Sequence, residues 1–398
     1  MNYFKFISAV TLVIASVWAD VKADFRPLPA PYTEHCIVDD PVTPYPPSNE
    51  SLVPWFDIDL DKPPSERWNT VTAAYAEQIR ELIGSIKAFV NPLFHGYLID
   101  FVDNYMGGWD SKMKEPYNQE MKAIADVAGV PLGEIVFYNI FYELNAICTS
   151  IVARDSTGNL VHARNLDFGL FLGWNVSAHE WSLTQVLRRS IVNLNFIKNG
   201  KLLYRSTNFA GYIGVFSAMK PHRFSVTMNE RYDLMDGGYR SILPFLQGKP
   251  TNFATFFLRE VMETADSYDD AVFALQNTTI ASPAYFIVGG NTSNQAITIT
   301  RSREGVVLNT EIASDSFYLL QTNYDPNKKP LYLDDRRGAG NVCMTKLGQS
   351  RVDFAGIFNV LSSKTSLNKL TAYTVLMEVV TGRMEAYTRE CPDPCWPF

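Results

Sequence analysis

The period of the hydrophobic pattern changes at residue 148, and this change restricts the folds open to the chain. Residues 65–147 carry apolar side chains mainly at helical spacing, whereas the pattern from residue 148 onward is strand-like, with two helical insertions. No internal repeat is found. A block of helices followed by a strand-rich block predicts a layered α+β fold and not a series of alternating βαβ units.

Three helices are predicted before residue 148. The first starts after an N-cap at Ser65, and two others cover residues 117–130 and 131–147, the last of them apolar nearly all round and therefore buried. Residues 24–55 are rich in proline and are predicted to form an extended arm. The apolar stripe of the first helix consists of Val71, Tyr75, Ile79, Leu82, Ile83 and Ile86.

The strand-rich part contains its own turn and cap signals. A turn at residues 155–159 joins the first two predicted strands, and Asn199-Gly200 between two apolar runs predicts a tight hairpin. Ser267 and Asp270 have the spacing of a helix capping box. These signals define the order of the elements without specifying how the sheets assemble.

The N-terminus reads as a targeting segment. Residues 1–23 combine Lys5, an apolar run and then small residues, which predicts a secretory signal peptide. The alternative is a membrane anchor, but the run is shorter than the ~20 residues that span a bilayer. Four Asn-x-Ser/Thr sequons fit the secretory pathway and are candidate glycosylation sites: Asn49, Asn175, Asn277 and Asn291.

Several function classes lack support in the sequence. A net charge of −7 without a Lys/Arg run argues against nucleic acid as a partner. The five histidines form no metal-binding pattern, and neither a phosphate-binding glycine loop nor a G-x-S-x-G elbow occurs. We therefore expect no metal and no cofactor.

The chain has five cysteines, an odd number, so at least one thiol is unpaired in an oxidising compartment. Cys391 and Cys395, in CPDPC, are near enough to close a local loop, and a zinc site there would need ligands that do not lie nearby. Cys36 and Cys343 can then form a long-range pair, which leaves Cys148. Four cysteines allow three connectivities, and the residues alone leave them open.

Cys148 can be a buried small hydrophobe, half of a disulfide or a nucleophile, and a structural role is the more common in secreted chains. A catalytic thiol needs a base. If the chain is cut before Cys148, the new α-amine, with an ordinary pKa of about 7.7–8.0, can take the thiol proton without a histidine.

Polar partners for such a nucleophile occur in two segments. Arg164 and Asp167 end the strand predicted to pair with the Cys148 strand, so the hairpin returns them toward the thiol. Their alternative is an ordinary salt bridge at a strand end. A second polar cluster, which has a solvated loop as its alternative, contains Asn323, Asp335 and Arg336.

Nine segments carry a family resemblance. They are FYELNAICTSIVARD, HARNLDFGLFLGWN, NFAGYIGVFSAMKP, TMNERYD, PAYFIVGGN, QTNYD, LDDRR, LNKLTAYT and CPDPC. Together, and in this order, they closely resemble the acid ceramidase family from near residue 50 to the C-terminus. That family belongs with N-acylethanolamine acid amidase among the N-terminal-nucleophile (Ntn) cysteine hydrolases, which also include bile-salt hydrolases and penicillin V acylases.

The resemblance implies an αββα sandwich with a helical N-terminal α subunit and a precursor that cuts itself between Ile147 and Cys148. The α subunit is then residues 24–147, and the β subunit, the Ntn-hydrolase core, is residues 148–398. It implies the lysosome as destination, through the secretory pathway, with secretion as a second one. The implied disulfides are Cys36–Cys343, which links the subunits, and the local Cys391–Cys395.

The resemblance also implies roles for individual residues. Cys148 matches the nucleophile, and its α-amine matches the general base. Asp167 matches the aspartate that holds this amine, and Arg164 matches the arginine whose charge favours the thiolate. Asn323 matches the side chain that stabilises the oxyanion. Two further residues, Glu230 and Arg336, match site residues that organise these groups.

The implied reaction is hydrolysis of ceramide to sphingosine and a fatty acid through a Cys148 acyl-enzyme. The implied partners are ceramide and related N-acyl lipids, an anionic membrane surface and a saposin-type activator. An apolar substrate requires an apolar channel. Its candidate lining residues, for which a core position is the alternative, are Phe168, Phe171, Leu172 and Trp174.

Three other functions remain as alternatives: an N-acylethanolamine amidase, a glycosylated lipid-binding protein with an inert Cys148, and a papain-like protease that would need a histidine. The chain also departs from the family pattern. Asn145 and Ala146 stand where phenylalanine and threonine are expected, Leu166 stands where methionine is common, and the end CPDPCWPF differs. The first departure lies beside the predicted cut and bears on its rate.

Overall fold

The computed structural model describes residues 28–29, 32, 36–39, 44–94, 113–141, 146–168, 173–232, 244, 249 and 251–397. The predicted signal peptide lies outside these residues. The helices are α1 (Asn69–Ala74), α2 (Ala76–Phe94), α3 (Tyr117–Ala128), α4 (Leu132–Phe141), α5 (Ser182–Arg188), α6 (Ala254–Thr264), α7 (Tyr268–Asn277), α8 (Arg336–Leu347) and α9 (Phe354–Ser362). The strands are β1 (Trp55–Asp59), β2 (Ala146–Arg154), β3 (Leu160–Phe168), β4 (Trp174–Asn175), β5 (Glu180–Trp181), β6 (Ile191–Lys198), β7 (Lys201–Phe209), β8 (Ser217–Lys220), β9 (Phe224–Glu230), β10 (Ala284–Gly289), β11 (Ala296–Arg301), β12 (Val306–Glu311), β13 (Tyr318–Gln321), β14 (Thr371–Glu378) and β15 (Arg383–Thr388).

Two stacked sheets form the centre of the fold. One has eight strands in the order β1-β6-β7-β8-β9-β10-β11-β12, and the other has five in the order β13-β2-β3-β14-β15. Helices α6 and α7 pack on the eight-stranded sheet, and α8 and α9 pack on the five-stranded sheet. The order helix, sheet, sheet, helix confirms the predicted α+β class and αββα sandwich, in which the two sheets pack face to face between helices.

Strand β2 shows how the alternation of side chains builds this sandwich. Ile151 and Ala153 point to the layer of α8 and α9 and share a core cluster with residues of those helices. Val152 points the other way and packs against Tyr285 and Ile287 of the eight-stranded sheet. Because the side-chain period of a strand is two, Cys148 shares the inter-sheet face with Val152.

The helical N-terminal region lies against the eight-stranded sheet. Trp68 and Ile79 share the main core cluster with Phe196 and Tyr204 of β6 and β7. The predicted apolar stripe is buried except for Tyr75, which is partly buried and packs against the same core. The stripe therefore predicted the buried face of these helices correctly.

The hairpin and capping predictions are confirmed. Asn199 and Gly200 have φ values of 53° and 67°, the left-handed conformation that a two-residue turn between β6 and β7 requires. The Ser267 side chain accepts a hydrogen bond from the Asp270 backbone nitrogen at 3.1 Å and caps α7. Both signals are local, and their geometry follows from neighbouring residues alone.

The predicted start of the first helix is wrong. The helix begins at Asn69, four residues after Ser65, and the pattern is split into α1 and α2 at Tyr75. The chain before Asn69 is held by tertiary contacts, since the Trp68 indole donates to Glu120 at 2.9 Å. A propensity for capping at Ser65 does not outweigh these contacts.

The predicted extent of the last N-terminal helix is also wrong. Helix α4 ends at Phe141, and β2 already begins at Ala146, so Cys148 is the third residue of its strand and not the first. The backbone of Ile147 pairs with Asp167, which extends the ladder past the predicted cut. The β-ladder with β3 overrides the apolar helical pattern here.

Sequence reasoning missed β1, α5 and α8, as well as the two-residue strands β4 and β5. Helix α8 has little apolar periodicity and contains two glycines whose absent side chains are required by close contacts. A Cβ at Gly338 would lie 2.6 Å from an Asp335 carboxylate oxygen, and a Cβ at Gly340 would lie 2.6 Å from Leu320. Glycines that read as loop residues thus allow a helix to start tightly against the five-stranded sheet.

Candidate active site at Cys148

The Cys148 thiol is buried and is the free cysteine of the chain. The other four form Cys36–Cys343 and Cys391–Cys395, as predicted. Cys148 lies on β2 directly opposite Leu166 of β3, so both strands contribute to its surroundings. The unpaired thiol is therefore enclosed between the two sheets and does not serve as a cross-link.

Arg164 is the cation beside the thiol. Its Nη2 donates to Cys148 Sγ, while its Nη1 donates to the Phe216 carbonyl oxygen at 2.9 Å and to Ser217 Oγ at 3.3 Å. Burial raises the pKa of the Cys148 thiol to about 11, although the Arg164 charge acts in the opposite direction. The thiol is thus protonated at neutral pH, so a role as nucleophile would require a base.

Asn323 and Arg336 bind the backbone of Cys148. The Cys148 nitrogen donates to Asn323 Oδ1 at 2.9 Å, and Arg336 Nη1 donates to the Cys148 carbonyl oxygen at 2.6 Å. Arg336 Nη2 also donates to Asn323 Oδ1, at 2.8 Å. The two polar segments predicted from the sequence therefore meet at the nucleophile, and the second is not a solvated loop.

Glu230 lies at the end of β9 and meets this group through its backbone. Asn323 Nδ2 donates to the Glu230 carbonyl oxygen at 2.8 Å. The Glu230 side chain is partly buried, and its charge has a minor effect that raises the pKa of Cys148. Its position suits an organising role more than direct contact with the thiol.

Asp167 lies opposite Ile147 on the paired strand. Its Oδ2 accepts from Asn368 Nδ2 at 3.2 Å and from Arg336 Nη1 at 3.4 Å, whereas its buried Oδ1 has no hydrogen-bond partner among the described residues. Burial raises the pKa of Asp167, and the Arg336 charge opposes this rise. A buried oxygen without a donor is costly, so Asp167 is prepared to accept a further hydrogen bond.

Sequence reasoning did not identify two residues that hold this site. Asp334 Oδ1 accepts from Arg336 Nε at 2.7 Å and orients its guanidinium, and Asn368 binds Asp167. Asp335, named from the sequence, caps α8 by accepting from the Gly338 nitrogen at 2.7 Å. Both residues lie in segments that carry the family resemblance, Asp334 in LDDRR and Asn368 in LNKLTAYT, but no role was assigned to either of them.

The four candidate channel residues differ in burial and in whether the structure describes them. Phe168 is a core residue with 2% of its surface exposed. Trp174 is partly buried, lies 5.1 Å from Trp181 between ring centroids, and packs in a small apolar cluster with Ile147 and Leu370. Phe171 and Leu172 lie outside the described residues. Phe168 pairs with Ala146 through the backbone, and Trp174 packs against Ile147, so both described candidates lie near the predicted cut.

The described residues show neither a cluster of metal-ligating side chains nor a histidine hydrogen-bonded to Cys148. Groups of three or more metal-ligating side chains are absent from this part of the chain, and none of its helices is long and apolar enough to cross a membrane. His162, His179 and His222 make their hydrogen bonds elsewhere and not to Cys148. His35 and His95 lie outside the described residues.

Two family models match separate parts of the chain. Residues 148–327 match linear amide C-N hydrolases of the choloylglycine hydrolase family, a match that begins at Cys148. Residues 51–113 match the beta subunit of N-acylethanolamine-hydrolyzing acid amidase.

Similar proteins cover nearly the whole chain. Acid ceramidases of Bos taurus and Homo sapiens are each 42% identical over 372 residues, which cover 92% of this chain and 93% of each relative. Acid ceramidase of Rattus norvegicus is 42% identical over 395 residues, or 98% of both chains. Among solved structures, the Caenorhabditis elegans ortholog of N-acylethanolamine-hydrolyzing acid amidase has a TM-score of 0.51 and 28% identity, and covers 61% of this chain and 100% of its own.

Proposed function

This chain belongs to the acid ceramidase family, and we propose that it hydrolyses ceramide to sphingosine and a fatty acid with Cys148 as the nucleophile. The observation that carries the proposal is the position of the unpaired thiol. It is buried, Arg164 donates to its sulfur, and Asn323 and Arg336 bind its backbone. These groups supply a cation for a developing thiolate and an amide donor for a developing oxyanion.

The first reaction is the cut that frees the nucleophile. The Cys148 thiol attacks the carbonyl carbon of Ile147, the peptide C–N bond breaks, and the released amine takes up the thiol proton. Water then hydrolyses the thioester, which frees the Ile147 carboxylate and restores the thiol. The products are an α subunit of residues 24–147 and a β subunit of residues 148–398, joined by the Cys36–Cys343 disulfide.

The base for ceramide hydrolysis is the new α-amine of Cys148. Its nitrogen is already bound to Asn323 Oδ1 in the uncut chain. Asp167, which lies opposite Ile147 on β3, offers an oxygen without a donor. The α-amine of Cys148, bound by Asn323 Oδ1 and by the free oxygen of Asp167, is thereby held next to the thiol of the same residue. The amine therefore takes the thiol proton on attack and returns it to the departing sphingosine nitrogen.

The two steps on ceramide follow from this arrangement. The thiolate attacks the amide carbonyl, negative charge on the oxygen is stabilised by the Asn323 amide, and sphingosine leaves with the proton from the α-ammonium. Water, deprotonated by the same amine, then hydrolyses the fatty acyl thioester. Arg164 keeps positive charge next to the sulfur throughout.

The apolar cluster at the cut suggests where the acyl chain binds. Ile147 stands on the acyl side of the first bond that Cys148 attacks, and it packs with Trp181, Leu370 and the partly buried Trp174 and Tyr232. The acyl side of ceramide takes the same side of the nucleophile. We therefore assign this cluster to the fatty acyl chain, with Phe171 and Leu172 as further candidates.

The finer cellular assignments belong to the same proposal. The protein is lysosomal, with secretion as a second destination, and acts at anionic membranes with a saposin-type activator. The four predicted glycosylation sites are all exposed, as an attached glycan requires: Asn49, Asn175, Asn277 and Asn291.

A second candidate substrate is an N-acylethanolamine. The match of residues 51–113 and the similarity to the Caenorhabditis elegans structure favour it, because both matched proteins hydrolyse this class. It shares the mechanism and differs only in the leaving amine. Turnover of ceramide and of palmitoylethanolamide, compared with one preparation at acidic pH, separates the two.

The test begins with N-terminal sequencing of the purified mature protein. A second N-terminus starting Cys-Thr-Ser-Ile-Val is expected, together with ceramide hydrolysis that a thiol reagent abolishes. Cys148→Ala is expected to remain one chain without activity, while the matched buried substitution Ser206→Ala is expected to mature normally. A Cys148→Ala protein that still forms two subunits and hydrolyses ceramide would refute the proposal.

A further inference from the structure

Five buried polar side chains form a continuous hydrogen-bonded chain between the two sheets. Ser225 Oγ lies 2.8 Å from His162 Nδ1, and His162 Nε2 lies 3.0 Å from Thr227 Oγ1. Thr227 Oγ1 lies 2.9 Å from Ser150 Oγ, which lies 2.8 Å from Asn229 Oδ1. All five side chains are at most 1% exposed, so water does not substitute for any of these contacts.

The chemistry of these groups gives the chain one direction. Asn229 Oδ1 only accepts, so the Ser150 hydroxyl must donate to it. The Ser150 oxygen then accepts a hydrogen bond from the Thr227 hydroxyl. The Thr227 oxygen in turn accepts one from the N–H on Nε2 of His162. His162 is therefore the neutral tautomer with its proton on Nε2, and its Nδ1 accepts from Ser225.

The state of His162 agrees with this direction. Burial lowers the pKa of His162 to about 3, with a smaller contribution from Arg164, so the ring stays neutral at mildly acidic pH. The Ser225 Oγ also lies closer to His162 Nδ1, at 2.8 Å, than to the Gly289 carbonyl oxygen, at 3.3 Å, so the ring nitrogen is the better placed acceptor for its hydroxyl. Each donor thus has one better acceptor.

This series of hydrogen-bonded side chains ends next to Asn323. Asn229 Nδ2 donates to the carbonyl oxygens of Gln321, at 2.9 Å, and Thr322, at 3.3 Å. The next residue is Asn323, whose own Nδ2 donates to the carbonyl oxygen of Glu230, the neighbour of Asn229. Two consecutive residues of β9 therefore hold the last residue of β13 and the two residues that follow it.

We propose that Asn229 is a positioning residue for the amidase reaction, and that the chain from Ser225 to Ser150 fixes the orientation of its amide. This inference rests on the proposed function. Asn229 does not touch the thiol and acts through the Gln321 and Thr322 carbonyls on Asn323. Ser150 fixes the amide because its hydroxyl hydrogen excludes a flipped Asn229, in which an NH₂ group would face a donor.

Oxyanion stabilisation and access to the thiol can be measured separately. An oxyanion donor contributes roughly 10²–10³-fold in kcat, and a misplacement of about 1 Å costs up to roughly 10²-fold. Alkylation of a thiol by iodoacetamide is a displacement at carbon that forms no oxyanion. Loss of positioning therefore lowers amide hydrolysis and spares alkylation of Cys148, whereas general damage to the site lowers both.

The experiment measures both reactions on the mature enzyme and its variants. Asn229→Leu keeps the shape and removes all the hydrogen bonds, and Ser150→Ala removes only the donor that orients Asn229. With lauroyl ceramide we expect kcat to fall roughly 30–100-fold in the first and about 10-fold in the second. KM and the rate of Cys148 alkylation by iodoacetamide are expected to change less than about threefold.

Two matched controls are buried hydroxyl groups on strands of the same eight-stranded sheet. Ser206→Ala and Thr300→Val remove buried hydroxyls that have no hydrogen-bond partner in the described part of the chain. Both are expected to keep the kcat of the wild type. Because Ser150→Ala removes a single oxygen atom, it tests the inference even where Asn229→Leu fails to mature.

The outcomes are distinct. A wild type without amidase activity would refute the proposed function and this inference together. An active wild type with Ser150→Ala unchanged in kcat, or with alkylation falling in parallel with kcat, would refute the inference alone. A fall in kcat at near-constant alkylation supports it.

Discussion

A buried ion pair joins the N-terminal helices to the rest of the protein, and its removal gives a defined prediction. Glu120 on α3 and Arg259 on α6 are both fully buried. Arg259 donates to the two carboxylate oxygens at 2.5 and 2.8 Å, and the carboxylate also accepts from Arg67 at 3.1 Å and from the Trp68 indole at 2.9 Å. The pair crosses the boundary between the proposed α and β subunits.

The perturbation is Arg259→Met, which removes the cation and keeps much of its length. Removing one partner of a buried pair costs about 3–5 kcal/mol of unfolding free energy, because the remaining charge stays buried. Glu120 keeps Arg67 and Trp68 as donors. We therefore expect the lower end, a loss of about 3 kcal/mol.

The double variant Glu120→Leu with Arg259→Met removes both charges. Since a buried pair replaced by apolar side chains is often close to neutral, its loss is expected to be smaller than the sum of the single losses by about 2 kcal/mol. A matched control is the exposed pair Arg189–Glu81, at 2.5 Å, which links the same two parts of the chain. Arg189→Met is expected to cost no more than about 0.5 kcal/mol.

The assay is urea unfolding followed by tryptophan fluorescence, in the Cys148→Ala background. That background keeps the protein as one chain, so dissociation of subunits does not contribute to the transition. A loss below about 1 kcal/mol for Arg259→Met, or single losses that simply add in the double variant, would refute the reasoning.

Further predictions concern the disulfide and two buried titratable groups. Cys36→Ser opens a loop of sequence separation 307, so we expect a loss of about 3–5 kcal/mol in the uncut chain and separate subunits on a non-reducing gel after cleavage. The pKa of His162, about 3, lies below its ordinary value of about 6.5, so its contribution to stability is present above pH 6.5 and is lost as pH falls toward 3. His162→Asn is therefore expected to reduce the slope of unfolding free energy against pH in that window by up to about 1.4 kcal/mol per pH unit, measured by urea unfolding at several pH values. The raised pKa of Asp167 has the opposite sign: its contribution is present below its ordinary pKa of about 3.9 and is lost as pH rises through the folded value. In the Cys148→Ala background, Asp167→Asn is thus expected to raise the melting temperature at pH 7 and to leave it unchanged near pH 3. A lower melting temperature of the variant at pH 7 would contradict this sign.

The core of the candidate site was predictable because it is built by neighbouring strands. Arg164 and Asp167 follow Cys148 within one hairpin, and antiparallel pairing returns them to Ser150 and Ile147. Such a register depends on the turn and on the alternation of side chains, both of which are visible in the sequence. The part of the site near the thiol therefore follows from residues that are close in sequence.

The remainder of the site depends on contacts between distant residues. The roles of Asn323 and Arg336 came from the family resemblance, and no role was assigned to Asn368 or Asp334. Arg336 reaches Cys148 because α8 starts against the five-stranded sheet, which Gly340 permits by its contact with Leu320. No period or short motif records such a contact.

The sequence by itself determined the layered α+β class, the hairpin at Asn199 and the unpaired Cys148, since each follows from side-chain period, turn geometry or an odd number of cysteines. Only the tertiary structure decided that β2 starts at Ala146, that Asp167 keeps an oxygen without a donor, and that Asn229 supports the loop of Asn323. These features depend on which groups are buried together when two sheets stack. Burial makes each unmade hydrogen bond costly, and that cost is set by the assembled fold.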